Sequence, residues 1–172
     1  PSASDIANYL TCEDRTSKVK GKLTAVFRIT SHTRRKVSLF KKITDVLNPQ
    51  VYDIDKLLEI IRDDTYYHLK PKIEAVRKAK SKEEKAKKKA LLPAVTWNGV
   101  FKSKNKNECV LYSSFTALDF DHIEPENMKT FGRWLQGFPC VYTYFVTPSG
   151  TGFKAIILHD NYESLYHYDL YN

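Results

Sequence analysis

The stretch Leu118-Asp119-Phe120-Asp121-His122 constrains this chain more than any other. Ahead of it, Val110-Leu111-Tyr112-Ser113-Ser114-Phe115-Thr116-Ala117 is mostly apolar and β-prone, and behind it Glu124-Pro125-Glu126 opens a helix. A strand turns its side chains to alternate faces, so Asp119 and Asp121 share one face and Leu118 and Phe120 take the other. The two Cα atoms then stand roughly 7 Å apart, close enough for both carboxylates to hold one divalent cation. Two acids ending an apolar strand are costly to desolvate without a cation or hydrogen-bond donors nearby. The same spacing also suits two acids that only solvate a strand end or cap the next helix.

The apolar share of 42%, with 11 Tyr, 9 Phe and 2 Trp, is enough for a packed core and argues against disorder. No apolar run reaches the roughly 18 residues of a membrane span, and no signal peptide opens the chain. Beginning at Pro1 and ending at Asn172 inside a helix-like stretch, it reads as a piece trimmed from a longer protein. Cys12, Cys109 and Cys140 are far apart and in no CxxC pair, which argues against zinc or a disulfide scaffold and fits a reducing cytoplasm. Cys140 reads as a small core residue within an apolar strand.

Positive charge is concentrated. Residues 70–89 carry ten Lys or Arg against three Glu, whereas the rest of the chain is close to neutral despite a total of +8. Charge gathered in this way suits a polyanion partner, and a solvated helix face would carry it equally well.

Residues 1–21 read as a polar arm and 22–172 as one domain. Alternation over 22–30 predicts a strand, and Val37-Ser38-Leu39-Phe40 a second one forming a hairpin with it. Helical spacing puts Ile54, Leu57, Leu58 and Ile61 on one stripe capped by Asp53. Pro71 suits a first helical position, and Ser81-Lys82-Glu83-Glu84 matches a capping box. Helices over 53–64, 71–79 and 82–91 thus make a basic, all-helical insertion, about 53–92, between two β regions. Asn98-Gly99 is a strong hairpin signal. From about 108 the order is strand, helix 125–136 packing Met128, Phe131, Trp134 and Leu135, strand 141–147, strand 153–159, and a helix capped by Asn161. The fold class is α+β, and this β-α-β-β-α module over about 108–172 looks like part of an RRM or ferredoxin-like antiparallel sheet.

In that layout the turn Pro148-Ser149-Gly150-Thr151-Gly152 lies near the acids. Gly150 and Gly152 permit close backbone approach, so their amides and the Ser149 hydroxyl can cradle a phosphate, with Lys154 as a point charge for a triphosphate. Glycine hairpin turns are common, but acids facing such a turn describe a metal–nucleotide site.

The chain resembles the VirE amino-terminal-domain family of mobile elements, which is related to the archaeo-eukaryotic primase (primase-polymerase) superfamily. The likeness rests on Val37-Ser38-Leu39-Phe40, Leu92-Pro93-Ala94-Val95 running into Gly99-Val100-Phe101, Leu118-Asp119-Phe120-Asp121-His122, and Ser149-Gly150-Thr151-Gly152-Phe153-Lys154. It implies a primase-polymerase-like core in which Asp119 and Asp121 are catalytic and bind Mg²⁺ or Mn²⁺. It further implies that Ser149, Gly150, Gly152 and Lys154 contact a nucleoside triphosphate, and that further C-terminal domains such as a helicase follow in the full-length protein. Lys154 stands where primases usually have His, and lacks that ring's geometry and near-neutral pKa. The family's third acid falls after the helix that begins at Asn161; Asp169 is a poor candidate for it.

The leading expectation is a nucleotidyltransferase domain working on a nucleic-acid template, DNA first, in the cytoplasm. Lys82, Lys85, Lys88, Lys89, Lys102, Lys104, Lys106 and Arg133 would track the backbone. Trp97 and Phe101 would stack a base or fill the core. The alternatives are a non-catalytic single-strand-binding module, and a metal-dependent nuclease or replication initiator using Asp119, Asp121 and His122.

Overall fold

The computed structural model describes residues 35–64 and 67–159. The arm over 1–21, the strand over 22–30, the helix from Asn161, and Cys12 and Asp169 lie outside the described residues. The chain is α+β with antiparallel sheets, and among the described residues no helix is long and apolar enough to cross a membrane.

Strand β1 (Lys36–Phe40) is the centre of a sheet ordered β2-β1-β3, flanked antiparallel by β2 (Gln50–Asp53) and β3 (Ala94–Thr96). Between the flanking strands run α1 (Ile54–Asp63), α2 (Leu69–Arg77) and α3 (Lys82–Ala90). The helices expected as an insertion between two β regions are therefore a crossover within one sheet. Strand β2 escapes sequence reading because its four residues, half-buried at most, are too short to show a period.

Local signals set the helix ends. The Asp53 carboxylate caps α1 by accepting from the Asp55 amide at 3.0 Å, and Ile54, Leu57 and Ile60 are buried. Helix α2 starts two residues earlier than Pro71 suggests, because the Asp64 carboxylate accepts from the amides of Leu69 and Lys70. Pro71 then falls in the first turn, where no intrahelical N–H is lost. Ser81 caps α3 through the Glu84 amide at 3.0 Å, and Glu84 reaches back to the backbone before the helix, accepting from the Lys80 amide at 2.9 Å.

The hairpin expected at Asn98-Gly99 does not form. Strand β3 pairs with β1, whereas β4 (Gly99–Phe101) pairs with β5 (Cys109–Tyr112), so the turn is a corner between sheets. Buried serines divert the strands: Ser38 Oγ accepts from the Phe101 amide at 2.9 Å, and Ser113 donates its amide to the Asn98 carbonyl and its hydroxyl to that of Trp97. Ser113 Oγ also takes the Phe115 amide at 3.2 Å, breaking the approach to the acids into β5 and β6 (Phe115–Phe120).

The last sheet is ordered β6-β8-β7, with β7 (Val141–Val146) and β8 (Phe153–Leu158). Both outer strands are antiparallel to β8 and hence parallel to each other, and α4 (Met128–Gln136) links them: a split β-α-β arrangement. Cys140 precedes β7 in a turn and is half-buried, not a strand-core residue.

Each face of this sheet is covered. Phe153 and Ala155 pack with Leu135, Phe131 and Trp134 of α4. Phe115 and Ile156 pack on the other face against Val37 and Leu39 of β1, Ile54 and Leu57 of α1, and Trp97. At the edge of this core Arg35, Asp55 and Tyr142 hydrogen-bond one another, and burial together with the Asp55 contact pushes the Tyr142 hydroxyl up to about 12. Ile156, fully buried, is the middle of the sheet-to-sheet packing. Ile156→Ala is expected to lower stability by about 2–5 kcal/mol, read as a lower urea midpoint at unchanged slope.

Candidate functional site

Along the face of β6 and β8 that meets α1 and β1, the side chains change from apolar to charged. Phe115, Ala117 and Ile156 belong to the core, and the same face continues to Asp119 and Lys154. There the covering elements lift away and leave a cleft of about 450 Å³, a size that suits a small-molecule ligand. Asp119, Asp121, Ser149 and Lys154 line its sheet side; Leu57 and Ile61 of α1, Leu69 and Ile73 of α2 and Lys89 of α3 line the helical side. Both acids open into one cleft, as their strand alternation requires.

Asp119 and Lys154 are direct cross-strand partners, with Nζ and Oδ1 2.5 Å apart. Asp121 stands one residue beyond the end of β6, and His122, at φ 60°, turns the chain away. The glycine turn is stitched to this strand end by the Ile123 amide donating to the Thr151 carbonyl at 2.9 Å. A Cβ at Gly152 would stand 2.2 Å from the Phe120 carbonyl oxygen, so only glycine lets the turn lie against the acids.

Two of the groups expected to cradle a phosphate have partners within the turn. The Gly150 amide donates to the Thr147 carbonyl at 2.9 Å. The Ser149 hydroxyl lies 3.0 Å from that of Thr147 and accepts from Thr151 at 3.3 Å. Lys154 is engaged by Asp119. The roles found are shape for Gly152, turn closure for Gly150 and charge pairing for Lys154, while Ser149 and Lys154 still line the cleft.

The basic residues named from sequence do not form one surface. Helix α3 has no buried residue, with Lys82 exposed, Lys85 half-buried, Lys88 held by Glu84 at 2.5 Å and Lys89 in the cleft. Lys102 and Lys106 are exposed, but Lys104 turns inward to the carbonyls of Lys42 and Ile43 and lies 4.7 Å above the Phe40 ring; burial pulls its pKa down. Arg133 sits on α4, on the opposite face of the sheet from the cleft. Trp97 and Phe101 are 6% and 8% exposed, so they are core residues and not an open stacking platform; Trp97 reaches the cleft only as part of its wall.

For a cation, the cleft offers two carboxylates open to water, Asp119 with 53% of its side chain exposed. That oxygen donor set fits Mg²⁺ or Mn²⁺, ions that keep several waters and bind through one or two carboxylates plus substrate phosphates. Among the described residues no group of three or more His, Cys, Asp or Glu could hold a metal, so His122 does not complete a ligand triad.

Sequence reading missed Arg77. Its Nε lies 3.4 Å from where a Cβ of Gly150 would stand, so the last residue of α2 rests on the glycine turn. Nothing local announces this, because the contact joins segments more than seventy residues apart.

Gly152→Ala is expected to cost about 1–3 kcal/mol through overpacking, because the added carbon meets backbone. Thermal melting checks this, and an unchanged midpoint would refute the close approach.

Over residues 86–166 the chain matches the family model described as the BT4734-like N-terminal domain, a span that takes in β3 to β8, the two acids and the glycine turn. No curated protein and no solved structure matches the chain.

Proposed function

We propose that this chain is a primase-polymerase-like nucleotidyltransferase domain that binds a nucleoside triphosphate with a divalent metal and acts on a nucleic-acid template, as its resemblance to VirE amino-terminal domains implies. One observation carries the reading: Asp119, Asp121, Ser149, Lys154 and Lys89 come from four separate segments and line a single cleft. The split β-α-β of β6, α4, β7 and β8 is also the first part of a ferredoxin-like layer, the core that this superfamily uses.

In this reading Asp119 and Asp121 hold Mg²⁺ or Mn²⁺, which when bound supplies charge to brace the triphosphate and lowers the pKa of an attacking hydroxyl. Lys154 keeps Asp119 oriented and neutralised until ligand arrives. Exposed lysines of α3 and the loop with Lys102 and Lys106 give the electrostatic approach for a strand of DNA. The setting is a cytoplasmic replication or mobile-element protein.

A second reading, a non-catalytic single-strand-binding module, is favoured by α3 alone, whose unburied lysines need no cleft.

The test compares the wild type with the double variant Asp119→Asn, Asp121→Asn. With Mn²⁺, the wild type is expected to bind nucleoside triphosphate and extend a primer. The double variant is expected to lose about 100-fold or more in nucleotide affinity, as removal of two charge-assisted contacts implies. Equal nucleotide binding by both proteins, or none by the wild type, would sink the proposal. Salt-sensitive single-strand binding unaffected by the double variant, with no nucleotide binding, would establish the second reading.

A further inference from the structure

We infer that the phosphate grip of this cleft comes from the helical crossover, with Arg77 of α2 as the principal triphosphate ligand and Lys89 of α3 as its partner. The inference rests on the nucleotide reading above and assigns the residues that the glycine turn leaves unassigned.

The turn and the start of β8 bring a phosphate one cation, Lys154, which Asp119 shares. The Gly150 amide closes the turn onto Thr147, and the Ser149 hydroxyl sits in a chain of three hydroxyls. A polyanion entering the cleft therefore needs cations from elsewhere, since bringing phosphate beside Asp119 and Asp121 without them is opposed by like charge. Two cations stand ready. The Arg77 side chain lies against the turn at Gly150, with Nε 3.4 Å and Cδ and Cζ 3.8 Å from where a Cβ there would stand. Gly150 holds a φ of 81°, which keeps the turn in the shape that meets Arg77. Lys89 lines the same cleft as the acids. Among the described residues neither Arg77 nor Lys89 has a carboxylate partner, whereas their neighbours Lys78 and Lys88 pair with Glu74 and Glu84.

The chemistry separates the two roles. A guanidinium is planar, always charged and presents paired N–H groups that match two phosphate oxygens, so Arg77 beside the turn suits a bidentate contact. Lys89 is a point charge on a flexible stem and suits a second phosphate group in the cleft. Arg77 is exposed at the last residue of its helix and Lys89 lies on a helix with no buried residue, so neither side chain is needed for the core.

Isothermal titration of the full chain with inorganic triphosphate and with ATP, each in Mn²⁺, tests this. Loss of one charge-assisted contact predicts that Arg77→Ala weakens both ligands by about 10–100-fold and Lys89→Ala by about 10-fold. Arg77→Lys should recover part of the loss. Lys78→Ala, which removes the same charge one residue away, should change affinity by less than about twofold. If wild type binds and Arg77→Ala binds equally well, or if Lys78→Ala weakens binding as much, the inference fails and the nucleotide reading stands. If wild type binds neither triphosphate, that reading fails and takes this one with it. Matching far-ultraviolet circular dichroism across the variants excludes unfolding as the cause.

Discussion

Asp119 faces Lys154 across the β6–β8 ladder, and that pairing follows from a register set several residues away, where Phe115 meets Leu158 and Ala117 meets Ile156. Side chains alternate with a period of two, so a slip of one residue would carry Asp119 to the α4 face and put Phe120 into the cleft. Two constraints prevent the slip. Phe115 and Ile156 are locked into the core against β1 and α1 on one face, and Phe153 and Ala155 against α4 on the other. At the open end the Gly152 approach to the Phe120 carbonyl fixes the depth of the turn against the strand. The position of the acids is thus a consequence of apolar packing, with the charges placed where that packing stops.

The Asp119–Lys154 pair is short, yet both members are partly exposed, at 53% and 27% of their side chains. Ion pairs so open to water are worth little, of order 0–1 kcal/mol. The pair therefore contributes little to holding the fold and costs little to open. A ligand that contacts Asp119 exchanges one set of contacts for another without disturbing the strands behind it.

What could be read from sequence depended on whether the signal was local. The stripe Ile54, Leu57 with its Asp53 cap, the Ser81 cap of α3, and the run Met128, Phe131, Trp134 and Leu135 each lie within a few turns and gave the helices closely. Asp119 and Asp121 share the cleft because strand alternation is likewise local. Non-local competition defeated the rest. Asn98-Gly99 has the chemistry of a hairpin, but Ser38 and Ser113 claim the backbone groups on either side and send the strands to different partners. Lys104 looks like any loop lysine until carbonyls at 42 and 43 are seen to hold it. For Arg77 and Gly150 the relation exists only once the crossover has folded over the sheet.

That crossover explains a helix that would otherwise be puzzling. α3 buries no residue, carries five lysines and draws almost no hydrophobic stabilisation of its own. Its order comes from the Ser81 and Glu84 caps, the Glu84–Lys88 pair and packing along α2, which is anchored in turn by fully buried Val76 and by the Asp64 cap. A helix kept only for stability would bury an apolar stripe, and this one instead spends its sequence on positive charge. The expense is consistent with its place: residues of α1, α2 and α3 line the same cleft as the two carboxylates, Lys89 among them, and Arg77 lies beside Gly150 in the turn whose Ser149 also lines it. Acids on the sheet and Lys89 on the helices then meet in one cleft, an arrangement that neither element could build alone, and the proposed division of that cleft between a metal and its anion rests on it.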